Sequence, residues 1–148
     1  MLDAIGEVIN RVQDRHDELG SEKPDNVLFV ITTDGEENSS KKFKKSQIEK
    51  MIKHQTNGHG WKFMFLGANM DAVTEAESIG ISRNYSVNYD YTSKGVDAVY
   101  ATMDCMTSAL RCDTALMDEV GEEFVLSNLY ATYNDTNKSA TNLEATID

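Results

Sequence analysis

The run Val27-Leu28-Phe29-Val30-Ile31, broken off by Thr32-Thr33-Asp34-Gly35-Glu36-Glu37-Asn38, constrains this chain more than any other stretch. Five successive apolar residues, three of them β-branched, are too few for an ordinary helix and lack the polar alternation of a half-exposed strand. Such a run reads as a strand buried on both faces, as in the interior of a parallel sheet. In open α/β sheets ligands gather just past the carboxyl ends of strands. Asp34 therefore stands where a metal or a substrate group would be expected.

The neighbouring segments supply the helices that a parallel sheet needs. Leu2, Ile5, Val8, Ile9, Val12 and Leu19 recur at helical spacing and predict an amphipathic helix over 2–19, stopped by Gly20. The first strand is expected at 27–32. Ser46 with Glu49 makes a capping-box pattern for a helix over 47–56, with Ile48, Met51 and Ile52 inward. Trp61-Lys62-Phe63-Met64-Phe65-Leu66-Gly67 reads as a second buried strand. Asn69 is a candidate cap for a helix over 70–79 that buries Ala72, Val73, Ala76 and Ile79. A short strand is expected near 84–88. From Thr92 or Ser93, Val96, Val99, Tyr100, Met103, Met106, Leu110, Met117 and Val120 keep helical spacing as far as Gly121, with a break expected near Cys112-Asp113-Thr114. The fold class is thus α/β: a short parallel sheet between helices, joined by right-handed crossovers and followed by a long C-terminal helix. Residues 1–121 form the domain and 122–148 an extension. Within that extension residues 124–130 suit strand or helix, and 134–148 are too polar for a core.

Composition bounds the function. A net charge of −11 disfavours nucleic acid or an anionic membrane as partner. No apolar run approaches the roughly 20 residues of a membrane span, and the first residues lack the pattern of a signal peptide, so a cytoplasmic location is the expectation. Residues 113–148 hold eight acids against Lys138, a net −7. Such a segment could mimic nucleic acid and block a basic groove, although an acidic solvated face is the commoner reading. Cys105 and Cys112 are seven residues apart in a helical pattern, about 10 Å along the axis, too far for a disulfide within one helix. Two buried thiols are the expectation. Lys41, Lys42, Lys44 and Lys45 read as a solvated surface, and His54 and His59 as surface histidines without a third ligand. The order and spacing of Ser, His, Asp and Cys residues support no nucleophilic triad, and no Gly-rich phosphate loop is present, so no enzyme is expected.

Three stretches, Leu2-Asp3-Ala4-Ile5-Gly6, Thr32-Thr33-Asp34-Gly35-Glu36-Glu37-Asn38 and Trp61-Lys62-Phe63-Met64-Phe65-Leu66-Gly67-Ala68-Asn69, occur in that order. Together they resemble von Willebrand factor A domains, especially the small bacterial and phage members, over residues 2–100. The resemblance implies a Rossmann-like fold and a metal-ion-dependent adhesion site for Mg²⁺ or a similar ion, with Asp34 as the ligand from the Thr-Asp-Gly turn. Thr33, Gly35, Glu36 and Glu37 would surround it. The family's Asp-x-Ser-x-Ser motif has no counterpart here, nor do its first three strands, and its ligand Thr would fall before Met1. The resemblance therefore implies an incomplete site that binds Mg²⁺ weakly at best. It also implies that the strand at 27–32, central in the family's sheet, becomes an edge.

An apolar edge invites pairing with another chain. The expectation is a non-enzymatic protein-interaction module that self-associates as a homodimer through Val27, Phe29 and Ile31 together with Met103, Met106 and Leu110 of the long helix. The alternatives are a Mg²⁺-dependent binding module using Asp34, in which a second chain completes the ion site, and an acidic inhibitor of a basic partner.

Overall fold

The computed structural model describes residues 1–35, 39–68, 71–90 and 92–112. In chain order these form α1 (Leu2–Leu19), β1 (Leu28–Thr33), α2 (Lys45–His59), β2 (Lys62–Ala68), α3 (Ala72–Ser78), β3 (Ser86–Tyr89) and α4 (Ser93–Cys112). The three strands make one sheet in the order β1-β2-β3, with both pairings parallel. The expected fold class holds, and each strand lies within one or two residues of its expected position.

The local signals differ more. The helix over 45–59 does not start at Ser46. The Lys44 N–H donates to Gln47 Oε1 at 2.9 Å and the Gln47 N–H to the Lys44 carbonyl at 2.9 Å. The helix is thus entered two residues earlier, with Gln47 in the role expected of Glu49. It runs to His59, where Gly60 at φ +68° reverses the chain and the Trp61 N–H reaches back to the Gln55 carbonyl. The cap of α3 is Asp71, whose carboxylate accepts from the Thr74 backbone N–H at 3.1 Å and the Thr74 hydroxyl at 2.6 Å. Asn69, the expected cap, lies outside the described residues. Thr92 caps α4 by accepting from the Gly95 N–H at 3.1 Å. The helical pattern expected beyond Cys112, and the segment 124–130, also lie outside them.

The helices form two layers on the sheet. On one face α1, α2 and α3 enclose a core of Leu2, Ile5, Ile9, Ile48, Ile52 and Ile79 against Ile31, Phe63 and Phe65. On the other, α4 lays Val99, Met106, Ala109 and Leu110 over Met64, Leu66 and Val87. The strand covered on both faces is therefore β2, whose Met64, Phe65 and Leu66 have no exposed surface. Of the β1 run expected to be buried on both faces, only Ile31 is, at 6% exposure, while Val27, Leu28, Phe29 and Val30 are half-buried. The cause is position: β1 is an outer strand, and no described residue pairs with its other side.

Candidate functional site

The open side of β1 forms the floor of a groove of about 680 Å³ that runs its full length, along residues 27–34. Its wall is α1, through Met1, Ala4, Val8 and Val12. The helix contributes two adjacent ridges. Leu2, Ile5 and Ile9 turn into the core, while Ala4, Val8 and Val12, at four-residue spacing, look into the groove. Val8 is 38% exposed, one of two large apolar residues so exposed among the described residues. Sequence reading placed Val8 and Val12 in one inward stripe with the core residues and did not single out Ala4. The available signal was the width of that stripe, more than one sheet contact uses.

The backbone of β1 shows what such a groove can accept. The Lys62 N–H donates to the Val27 carbonyl at 2.9 Å, and Leu28 stands opposite Lys62 in a parallel register. In a parallel ladder alternate residues direct both backbone groups to the same neighbour. Phe29 and Ile31 therefore face β2, and the N–H and C=O groups of Leu28, Val30 and Thr32 face the groove. Those groups are spaced for an added strand. The side chains flanking them, Leu28 and Val30 toward α4 and Val27 and Phe29 toward α1, are half-buried apolar groups that such a strand would cover.

Of the other residues expected at an interface, Ile31, Met106 and Leu110 are inside the core, at 6%, 1% and 6% exposure. Met103 is half-buried beside them. The helix stripe is consumed by the chain's own sheet, because α4 covers the Met64 and Leu66 face. Of the expected set, Val27, Phe29 and Ile31 line the groove, and of these Val27 and Phe29 are half-buried while Ile31 is buried.

Asp34 is exposed and closes the carboxyl end of the groove. The turn there is held by the Thr33 hydroxyl, which donates to the Gly35 carbonyl at 2.9 Å and accepts from the Gly35 N–H at 3.4 Å. Glu36 and Glu37 lie outside the described residues. Among the described residues no three His, Cys, Asp or Glu side chains gather closely enough to hold a metal ion. His54 and His59 stack edge to face at 5.5 Å on the exposed side of α2. Cys105 and Cys112, expected to be buried, are both exposed and free. They share one face of α4, as their spacing requires, but it is the face turned from the sheet.

A side chain that sequence reading assigned no role fixes the amino end of α1. The carboxylate of Asp3 accepts from the backbone N–H groups of Lys41, Lys42 and Phe43 at 2.8, 2.9 and 2.9 Å. These bonds, that of Lys41 foremost, hold its carboxyl below the usual carboxylate range. The Asp3 N–H in turn donates to Ser40 Oγ at 3.1 Å. Phe43 lies flat on Gly6, where a Cβ would stand 2.8 Å from its ring. The lysine-rich loop is thus strapped to α1, and it stays at the surface: Lys42 pairs with Glu7, and Lys45 with Glu75 at 2.7 Å.

No described helix is long and apolar enough to cross a membrane. No family model matches the chain, and neither a curated protein nor a solved structure is detectably similar to it.

Proposed function

We propose that this chain is a non-enzymatic protein-interaction module whose receptive surface is the open edge of β1 backed by α1, and that its partner is a second copy of itself. The observation that carries the reading is the groove: three outward N–H and C=O pairs beside an apolar helix ridge left half exposed. Adding a strand to such an edge gives affinity through main-chain bonds and selectivity through alternate side chains. Two-fold pairing of the edges uses one patch twice and brings the Ala4, Val8 and Val12 ridges of both copies into the same contact. On this reading the chain is a von Willebrand factor A-like fold opened at β1. Its Thr-Asp-Gly turn serves as a strand-ending turn rather than as a tight ion site. Light scattering over a range of concentrations tests the proposal. The mass should climb from 16.5 kDa toward twice that value. Val8→Lys, at an exposed position, should hold the protein at the lower mass. A single 16.5 kDa species at every concentration, or association indifferent to Val8→Lys, would sink it.

A further inference from the structure

We infer that two copies of the chain join about a two-fold axis that passes beside Val30 and Val8, so that their β1 strands pair antiparallel with Val30 opposite Val30 and the two three-stranded sheets become one. This rests on the reading of the groove as a self-association site and adds the register to it. The backbone of β1 is the first ground. Leu28, Val30 and Thr32 turn both backbone groups to the groove. In a parallel ladder such a residue stands opposite one whose groups turn away, so two copies of β1 would need an odd offset. A two-fold axis gives no such offset, and a closed pair is therefore antiparallel. In an antiparallel pair, outward residues face one another and exchange both bonds. Val30 is the middle one of the three. Only the register centred on it uses them all, with Leu28 opposite Thr32 at each end. A slip of two residues either way leaves Leu28 or Thr32 without a partner.

The placement of α1 is the second ground. The His16 ring packs edge to face on Trp61 at 5.5 Å, beside Lys62, which stands opposite Leu28. At its other end α1 holds, through Asp3, the backbone of residues 41–43, beyond the carboxyl end of β1. The helix therefore runs opposite to the strand. Val8 is eight residues back from His16, about 12 Å at 1.5 Å per residue. A strand covers that distance in about three to four residues, which brings Val8 level with Val30 or Ile31. Strand and helix thus share one centre. The axis that sets Val30 on Val30 sets Val8 on Val8, and it lays Ala4 of each copy against Val12 of the other.

Charge is the third. Glu7 and Arg11, both exposed, border the ridge on its solvent side. Reversing the second helix about Val8 brings Arg11 of each copy within about 3 Å, measured along the axis, of Glu7 of the other. Helices aligned in the same direction would instead set like charges side by side.

Disulfide trapping reads the register. Cys105 and Cys112 are exposed and free, so Cys105→Ser and Cys112→Ser supply the background. In it Val30→Cys, treated with diamide, should cross-link to itself, because facing residues of a hydrogen-bonded antiparallel pair stand about 5.5 Å apart between Cα atoms, the ordinary separation in a disulfide. Leu28→Cys and Thr32→Cys should each stay uncross-linked alone and cross-link when mixed. Amide hydrogen exchange on the unaltered protein gives the same reading without substitution. Raising the concentration from monomer to dimer should slow the amides of Leu28, Val30 and Thr32 together, by about tenfold or more. Self-cross-linking by Leu28→Cys or Thr32→Cys, or slowing of only two of the three amides, would overturn the register and leave self-association standing. A dimer in which none of the three slows would overturn the inference and place the contact elsewhere. Monomers at every concentration would sink both.

Discussion

Asp3 shows how one side chain can hold a loop some forty residues away against the start of a helix. Its carboxylate satisfies three loop N–H groups, so Asp3→Asn loses the charge that binds them and should loosen the loop over residues 40–43. The folded carboxyl titrates below its unfolded value of about 3.9. Its contribution is therefore present in full above that value and is lost as pH falls through the folded one. Denaturant unfolding should show a stability gap between the unaltered protein and Asp3→Asn that is widest near neutral pH and closes in the acid range. A gap constant down to about pH 2 would refute the clamp. Asp71, held low by the Thr74 hydroxyl and N–H, titrates in the same direction but is common to both proteins. Gly6→Val would drive a side chain into the Phe43 ring and should cost about 1–3 kcal/mol, measured by the same unfolding. The motif Leu2-Asp3-Ala4-Ile5-Gly6 was visible in the sequence, but the partners of Asp3 and Gly6 lie some forty residues on. No local pattern names them. The cysteines carry the same lesson: spacing shows that Cys105 and Cys112 share a face of α4, and only packing shows which face turns outward.

At the scale of the element, α4 follows most of its stripe, with Met103 half-buried and Tyr100 64% exposed. Val99, Met106 and Leu110 are buried against β2 and β3. Leu110→Ala should cost about 2–5 kcal/mol in denaturant unfolding, and a loss under about 0.5 kcal/mol would mean that the stripe is not core. Helix and strand types were legible because burial on one face imposes a period and burial on two imposes a continuous apolar run. The β1 run follows that rule in composition and departs from it in burial: its residues would suit an inner strand, yet it lies at the edge. Helix starts were less legible. Ser46 and Glu49 have the right chemistry for a capping box, but the pair formed by Lys44 and Gln47 enters the helix first, and the two signals overlap in sequence. The Thr-Asp-Gly turn was legible as a turn. In calorimetry Asp34 should give no tight Mg²⁺ binding, because among the described residues no three His, Cys, Asp or Glu side chains gather to hold an ion. A sub-micromolar dissociation constant abolished by Asp34→Ala would contradict that.

For the whole molecule, what matters is that a sheet of three parallel strands leaves the outer edge of β1 without a strand partner among the described residues. A sheet of this kind is ordinarily covered on both faces and paired at its apolar edges. The sequence made an apolar edge foreseeable. It could not reveal that α1 walls a groove along β1, because no local pattern says where a helix lies over a sheet. Nor could it show that the α4 stripe is already used against the chain's own sheet. The measurement that bears most directly on the role of this edge is sedimentation equilibrium on the unaltered protein and on Thr32→Pro. Proline at 32 removes one outward N–H and none of the bonds to β2, so the fold should be kept and the edge blunted. The expected result is a monomer–dimer equilibrium that Thr32→Pro weakens by about tenfold or more, with thermal unfolding little changed. Equal dimerisation by both proteins, or 16.5 kDa monomers throughout, would contradict it.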